Sequence, residues 1–203
     1  MYVSEALAGR RVVAVSAGGS HSLALTADGA VWSWGAGAFG KLGHCDVQRQ
    51  LLPKKIEAFA DQRVVAVSAG SHHSFALTAD GAVWSWGEGA WGRLGHGDDE
   101  GQPLPKQVEA LAGQHVVAVL TGGDQSLALT AGAVFTWGKG ERGCLGHGED
   151  LSSQLLPEVT DVELLRSTHR DLRKGVASRP AVPTQRSNRD PSTKRRIFLG
   201  IFA

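Results

Sequence analysis

Gly35, Gly37 and Gly40 are spaced as GxGxxG, the pattern with which a strand-to-helix turn cradles a dinucleotide pyrophosphate. Such a site needs a helix opening directly from the glycines. Here they run into Lys41-Leu42-Gly43-His44 and a polar stretch that ends at Leu51-Leu52-Pro53. The same spacing returns at Gly87, Gly89 and Gly92, and again at Gly138, Gly140 and Gly143. Three copies point to a structural unit, in which the glycines let the chain reverse without Cβ clashes. Eight histidines could bind metal or move protons. His21 and His73 are equivalent, however, and the third copy carries Gln125, which keeps a hydrogen-bonding side chain and loses titration. His44, His96 and His147 hold one position in each of three long loops, and His44-Cys45 is the only His–Cys neighbour pair. Two ligands do not close a zinc site. Ser22, Ser74 and Ser126 fall inside expected strands with no GxSxG elbow. Asp98-Asp99-Glu100 lacks the spacing of a calcium loop and reads as a solvated acidic turn. No catalytic group, metal or cofactor is expected.

The elements behind these residues repeat. Residues 16–35 return at 68–87, identical at 17 of 20 positions, and a third copy over 120–138 lacks one residue. A fixed period near fifty residues signals stacked supersecondary units. Each unit predicts short strands: VVAVSA (12–17), HSLALT (21–26) and AVWSW (30–34), the last placing Ala30, Trp32 and Trp34 on one face and Val31 and Ser33 on the other. Ala27-Asp28-Gly29 and Ala79-Asp80-Gly81 are tight-turn chemistry. A fourth strand is expected at LPKKIEA (52–58), with Pro53 tolerated at a strand start or edge. The third copy has a shorter turn, Thr130-Ala131-Gly132-Ala133. Strand alternation should survive it, because a one-residue slip would send Phe135 and Trp137 to the wrong face. Four antiparallel strands at this period make a propeller blade.

The 203 residues carry a net charge of +1 that conceals a split. Residues 1–159 hold eleven basic and sixteen acidic side chains, and residues 160–203 hold ten and four. Two cysteines at unrelated positions, Cys45 and Cys144, argue against a disulfide framework. No signal-peptide order opens the chain and no run of about 18 apolar residues spans a membrane. A cytoplasmic or nuclear location is expected. The domain reading is three repeats over 1–159 (about 1–52, 53–104 and 105–159) and a basic tail over 160–203. That tail is expected to lack order apart from a short amphipathic helix at 161–172. Lys194-Arg195-Arg196 offers at most a weak nucleic-acid contact.

The run AGGSHSLALTADGAVWSWGAGAFGKLGH, with its His-Ser before an Ala-Leu-Thr strand, its Trp-Gly and its closing Leu-Gly, resembles a repeat of the regulator of chromosome condensation (RCC1) family. The resemblance implies an all-β fold of RCC1-type propeller blades: three four-stranded antiparallel blades, an incomplete version of the family's seven. It also implies a non-catalytic protein-interaction module, with two further readings. These are guanine-nucleotide exchange on a Ran-type small GTPase, and membership of a larger ubiquitin-ligase-type protein. In a four-stranded meander the first and last connections emerge on one side, so the variable segments 36–52, 88–104 and 139–156 should share a face. The candidate partner-binding residues there are Phe39, Lys41, Trp91, Arg93, Asp98, Asp99, Glu100 and Arg142. The second segment is the most acidic, and Trp91 is its aromatic anchor for a basic protein partner.

Overall fold

A computed structural model of the chain describes residues 5–160. The expected tail, its helix at 161–172 and Lys194-Arg195-Arg196 lie outside the described residues. Twelve strands form three antiparallel sheets, each a simple meander. The first contains β1 (Val12–Ala17), β2 (His21–Thr26), β3 (Val31–Gly35) and β4 (Gln50–Lys55). The second contains β5 (Val64–Ala69), β6 (His73–Thr78), β7 (Val83–Gly87) and β8 (Gln102–Gln107). The third contains β9 (Val116–Thr121), β10 (Gln125–Thr130), β11 (Val134–Gly138) and β12 (Gln154–Val159). No helix among the described residues is long and apolar enough to cross a membrane.

The fourth strand begins and ends earlier than 52–58. Gln50 pairs with Gly35 and Lys55 with Trp32, after which Ile56 turns into the core and 57–59 form a 3-10 turn. The break follows from burial: Ile56 and Phe59 fill the space between the first and second sheets. Each sheet is thus offset from the sequence repeat, whose boundaries at 52/53 and 104/105 fall inside β4 and β8.

Strand alternation holds, but both faces are covered in the second sheet. On β7, Trp86 and Ser85 are alike buried, because sheets stand against each side. Two cores result, one per joint. Leu23, Leu25 and Val31 meet Ile56, Phe59, Val64 and Trp86 in the first. Phe75, Leu77 and Val83 meet Val108, Leu111, Val116 and Trp137 in the second.

The shortened third turn keeps the pairing intact. Leu129 faces Val134 as Leu25 faces Val31, Phe135 is 9% exposed and Trp137 is fully buried. In the longer turns the Asp28 and Asp80 carboxylates accept the amides of Ala30 and Ala82. In the third the Thr130 hydroxyl accepts the Ala133 amide at 3.0 Å, which supplies the missing acceptor. The lost residue is absorbed in the turn.

Candidate functional site

The first and third connections of each sheet emerge at one end, and the long third connections (36–49, 88–101 and 139–153) carry the candidate residues. Each loop leaves its strand through a glycine with positive φ and makes one 3-10 turn: 38–40, 90–92 and 141–143. No α-helix opens there, so the GxGxxG spacing serves loops. The middle residue of every turn is non-glycine and left-handed: Phe39 at φ 63°, Trp91 at φ 66° and Arg142 at φ 62°. For bulky L-residues this conformation is uncommon and costs about 1–3 kcal/mol. All three side chains are exposed, Phe39 at 51% and Trp91 at 48%. The Phe39 ring meets the His72 ring edge-on at 5.5 Å. Lys139 Nζ lies 5.1 Å from the Trp91 ring centre and pairs with Glu141 at 3.1 Å.

Two candidates leave this surface. Lys41 and Arg93, expected as solvent-facing contacts, are 1% and 2% exposed. Lys41 donates from Nζ to Ser20 Oγ at 2.9 Å, and burial lowers its pKa, opposed by the nearby Glu88 carboxylate. Arg93 is held between Glu88 at 2.9 Å and Asp124 of the third sheet at 3.2 Å. Their main chains matter more. The Lys41 carbonyl accepts the Trp86 indole N–H and the Ser74 hydroxyl, both at 2.9 Å. The Arg93 carbonyl accepts Trp137 at 3.0 Å and Ser126 at 2.8 Å. The first two loops therefore each carry a socket for the next sheet, filled by a strand serine 33 residues further on.

The histidines complete these joints. Because Ser74 Oγ gives its proton to Lys41, it accepts from His21 Nε2–H at 2.8 Å, and Ser126 likewise accepts from His73 at 3.1 Å. Burial is the main cause that lowers the pKa of His21 to about 4 and of His73 to about 3, with Lys41 and Arg93 respectively adding repulsion. Both rings are neutral near pH 7. His44, His96 and His147 tie each loop to its own sheet, bonded to Ser33, Ser85 and Thr136. Among the described residues no three His, Cys, Asp or Glu side chains converge as metal ligands. The Ser74 and Ser126 hydroxyls are fully buried and committed to carbonyls, an arrangement that holds sheets together.

The acidic stretch divides as well. Asp98 accepts the Glu100 amide at 3.1 Å, as Asp46 accepts Gln48 at 3.0 Å and Asp150 accepts Ser152 at 2.8 Å. It is a turn-forming carboxylate, and its recurrence at 46, 98 and 150 is the sequence signal that marks it as such. Asp99 and Glu100 are exposed. With Glu88 engaged by Arg93, they and the rim of Asp98 give the second loop its negative charge. The exposed set at this end is Phe39, Trp91, Asp99, Glu100 and Arg142.

Comparison with known proteins places these features. The model of the regulator of chromosome condensation (RCC1) repeat matches residues 28–77, 80–129 and 131–173, and a second RCC1 repeat model matches 12–41 and 64–93. The chain is 48% identical over 151 residues to the human E3 ubiquitin-protein ligase HERC2, covering 73% of this chain and 3% of the ligase. It is 39% identical over 154 residues to the ultraviolet-B receptor UVR8 of Arabidopsis thaliana, covering 75% of this chain and 35% of the receptor. Its fold matches Prp20p of Saccharomyces cerevisiae, a protein described with its binding to Gsp1p and histones. That match has a TM-score of 0.67 at 27% identity and covers 75% of this chain and 39% of Prp20p. The chain thus spans well under half the length of each of these relatives.

Proposed function

The chain belongs to the RCC1 repeat family, and on that premise we propose that it is a non-catalytic module that binds a basic protein through the face carrying the β3–β4, β7–β8 and β11–β12 loops. The observation that carries this reading is the left-handed conformation of Phe39, Trp91 and Arg142. Glycine would relieve the strain at each position, yet each loop displays a large side chain there, and strain of this kind concentrates at binding sites. Trp91 is the anchor: a rigid ring, half exposed, in the same loop as the exposed acidic Asp99 and Glu100. Lys139 Nζ, 5.1 Å from the centre of the ring, supports reading that face as one that attracts cations. Binding of histones by Prp20p supports a basic partner.

Purified core histones are the probe. Changing Trp91→Gly, Asp99→Asn and Glu100→Gln together should weaken binding by about tenfold or more, while the melting temperature moves by less than about 3 °C. Glycine at 91 removes backbone strain, so the blades should not lose stability. Unchanged affinity in a folded triple variant would exclude this face.

Exchange on a Ran-type small GTPase is a second reading, favoured by the structural likeness to Prp20p, which binds Gsp1p. Accelerated release of a fluorescent guanine nucleotide from such a GTPase would establish it. Nucleotide release at the intrinsic rate would reject it.

A further inference from the structure

Each joint between sheets has a plug and a socket, and the two outermost sheets each present half of one. The plug is a tryptophan indole and a serine hydroxyl on the leading face of a sheet. The socket is the carbonyl of the preceding loop, used at Lys41 and Arg93. On the first sheet the equivalent plug is Trp34 and Ser22, both partly exposed, where Trp86 and Trp137 are fully buried. On the third sheet the equivalent socket is the Cys144 carbonyl. Among the described residues neither half has a partner.

The flanking contacts show the same complementarity. The Cys45 amide donates to Pro103 and the Gly97 amide to Leu155, each at 3.1 Å, so the first two loops also grip the outer strand of the next sheet. A Cβ at Gly40 would meet the Pro103 backbone at 2.5 Å, and one at Gly92 would meet Leu155 at 2.5 Å. At Gly143, which has the same left-handed backbone, the equivalent space is open. The strand residue equivalent to Pro103 and Leu155 is Leu51, 80% exposed. The apolar lining is uncovered too. Val15 is 73% exposed where Val119 is buried, and Leu129 is 41% exposed where Leu25 and Leu77 are buried.

We propose that a second copy of this chain docks head to tail at this half-joint. Its Trp34 indole and Ser22 hydroxyl donate to the Cys144 carbonyl, and its Leu51 strand lies across Gly143. The third sheet alters at least three joint residues: Cys144 replaces the buried Lys41 and Arg93 and forgoes an ion pair like Arg93–Asp124, and two further changes suit a reversible contact. Gln125, in place of His21 and His73, donates from its amide to Ser22. Leu120 replaces Ser16 and Ser68, whose hydroxyls accept the Ala69 and Thr121 amides. One hydrogen bond is thereby lost, and Leu120, 59% exposed, adds apolar area facing Val15 and Ala17. The contact joins different surfaces, so a dimer retains one open face at each end and can grow further.

Sedimentation velocity on the full chain tests this directly. The wild-type chain should form oligomers that grow with concentration. Trp34→Ala, which removes the plug, and Gly143→Asn, which fills the socket with a residue tolerant of positive φ, should each raise the apparent dissociation constant about tenfold or more. Mixing these two variants should give dimers that do not extend, because each supplies one intact face. Leu129→Arg provides a second socket variant should Gly143→Asn unfold. A wild-type chain that stays monomeric at all concentrations would overturn the proposal. So would folded variants that oligomerise like wild type, or a mixture that stays monomeric.

Discussion

Replacing Trp86 by alanine should destabilise the protein by about 3–5 kcal/mol, the range for a buried aromatic, and lower the melting temperature by roughly 10 °C. Trp137→Ala should behave alike, and Trp34→Ala should cost no more than about 1 kcal/mol. The three positions are repeat equivalents in the same strand register, so local propensity cannot separate them. Position in the stack separates them. Trp86 packs against Phe59 at 5.7 Å and donates to the Lys41 carbonyl, and Trp137 packs against Phe75 at 5.7 Å and donates to Arg93. Each loss opens a cavity and removes one of the two donors to a buried carbonyl, which keeps its serine hydroxyl. Trp34 has no preceding sheet among the described residues. Thermal melts of the three single variants, at a concentration where the chain is monomeric, provide the comparison. Equal losses at all three positions would mean that the tryptophans act within their own sheets rather than at the joints.

Acid should loosen the same joints. The folded pKa values of His21 and His73, about 4 and about 3, lie below the ordinary 6.5, so the folded protein binds fewer protons than the unfolded chain. Their contribution is therefore complete above pH 6.5 and declines as pH falls through the window down to those folded values. Each group gives a slope of about 1.4 kcal/mol per pH unit within its window. The third sheet supplies the control, since Gln125 occupies the equivalent place and does not titrate. The double variant His21→Gln and His73→Gln should flatten the decline between neutral pH and about 4, because an amide N–H can replace the imidazole donor to Ser74 and Ser126. Melting curves across that range check it. An unchanged pH slope in the double variant would assign acid sensitivity to other groups.

Much of the fold could be read because the repeat shows each unit three times. The alternation of Val31, Trp32, Ser33 and Trp34, the Asp-Gly turns and the loop glycines act locally, and local chemistry determined them. The end of the fourth strand was harder to read. Ile56 continues the apolar pattern of LPKK, and only packing against Val64 and Trp86 shows that it leaves the sheet. Lys41 and Arg93 were misread for the same reason. A long charged side chain in a glycine-rich loop looks solvated, while the groups that bury it come from another sheet. Asp98 was counted among the contacts, although its recurrence at 46 and 150 carried the signal of a turn. The left-handed backbone at 39, 91 and 142 was not legible, because Phe, Trp and Arg have no preference for that conformation.

That conformation is where the functional account is most exposed to test. A photo-crosslinking amino acid placed at Trp91 should couple the chain to a core histone in a mixture with purified histones. The same group at Asp80, on the β6–β7 turn at the opposite end of the second sheet, should give little product. Crosslinks at 91 that are lost when Asp99 and Glu100 are neutralised are the predicted result. Equal crosslinking from 91 and 80, or efficient crosslinking from 80 alone, would contradict a partner surface built on the three left-handed loop residues.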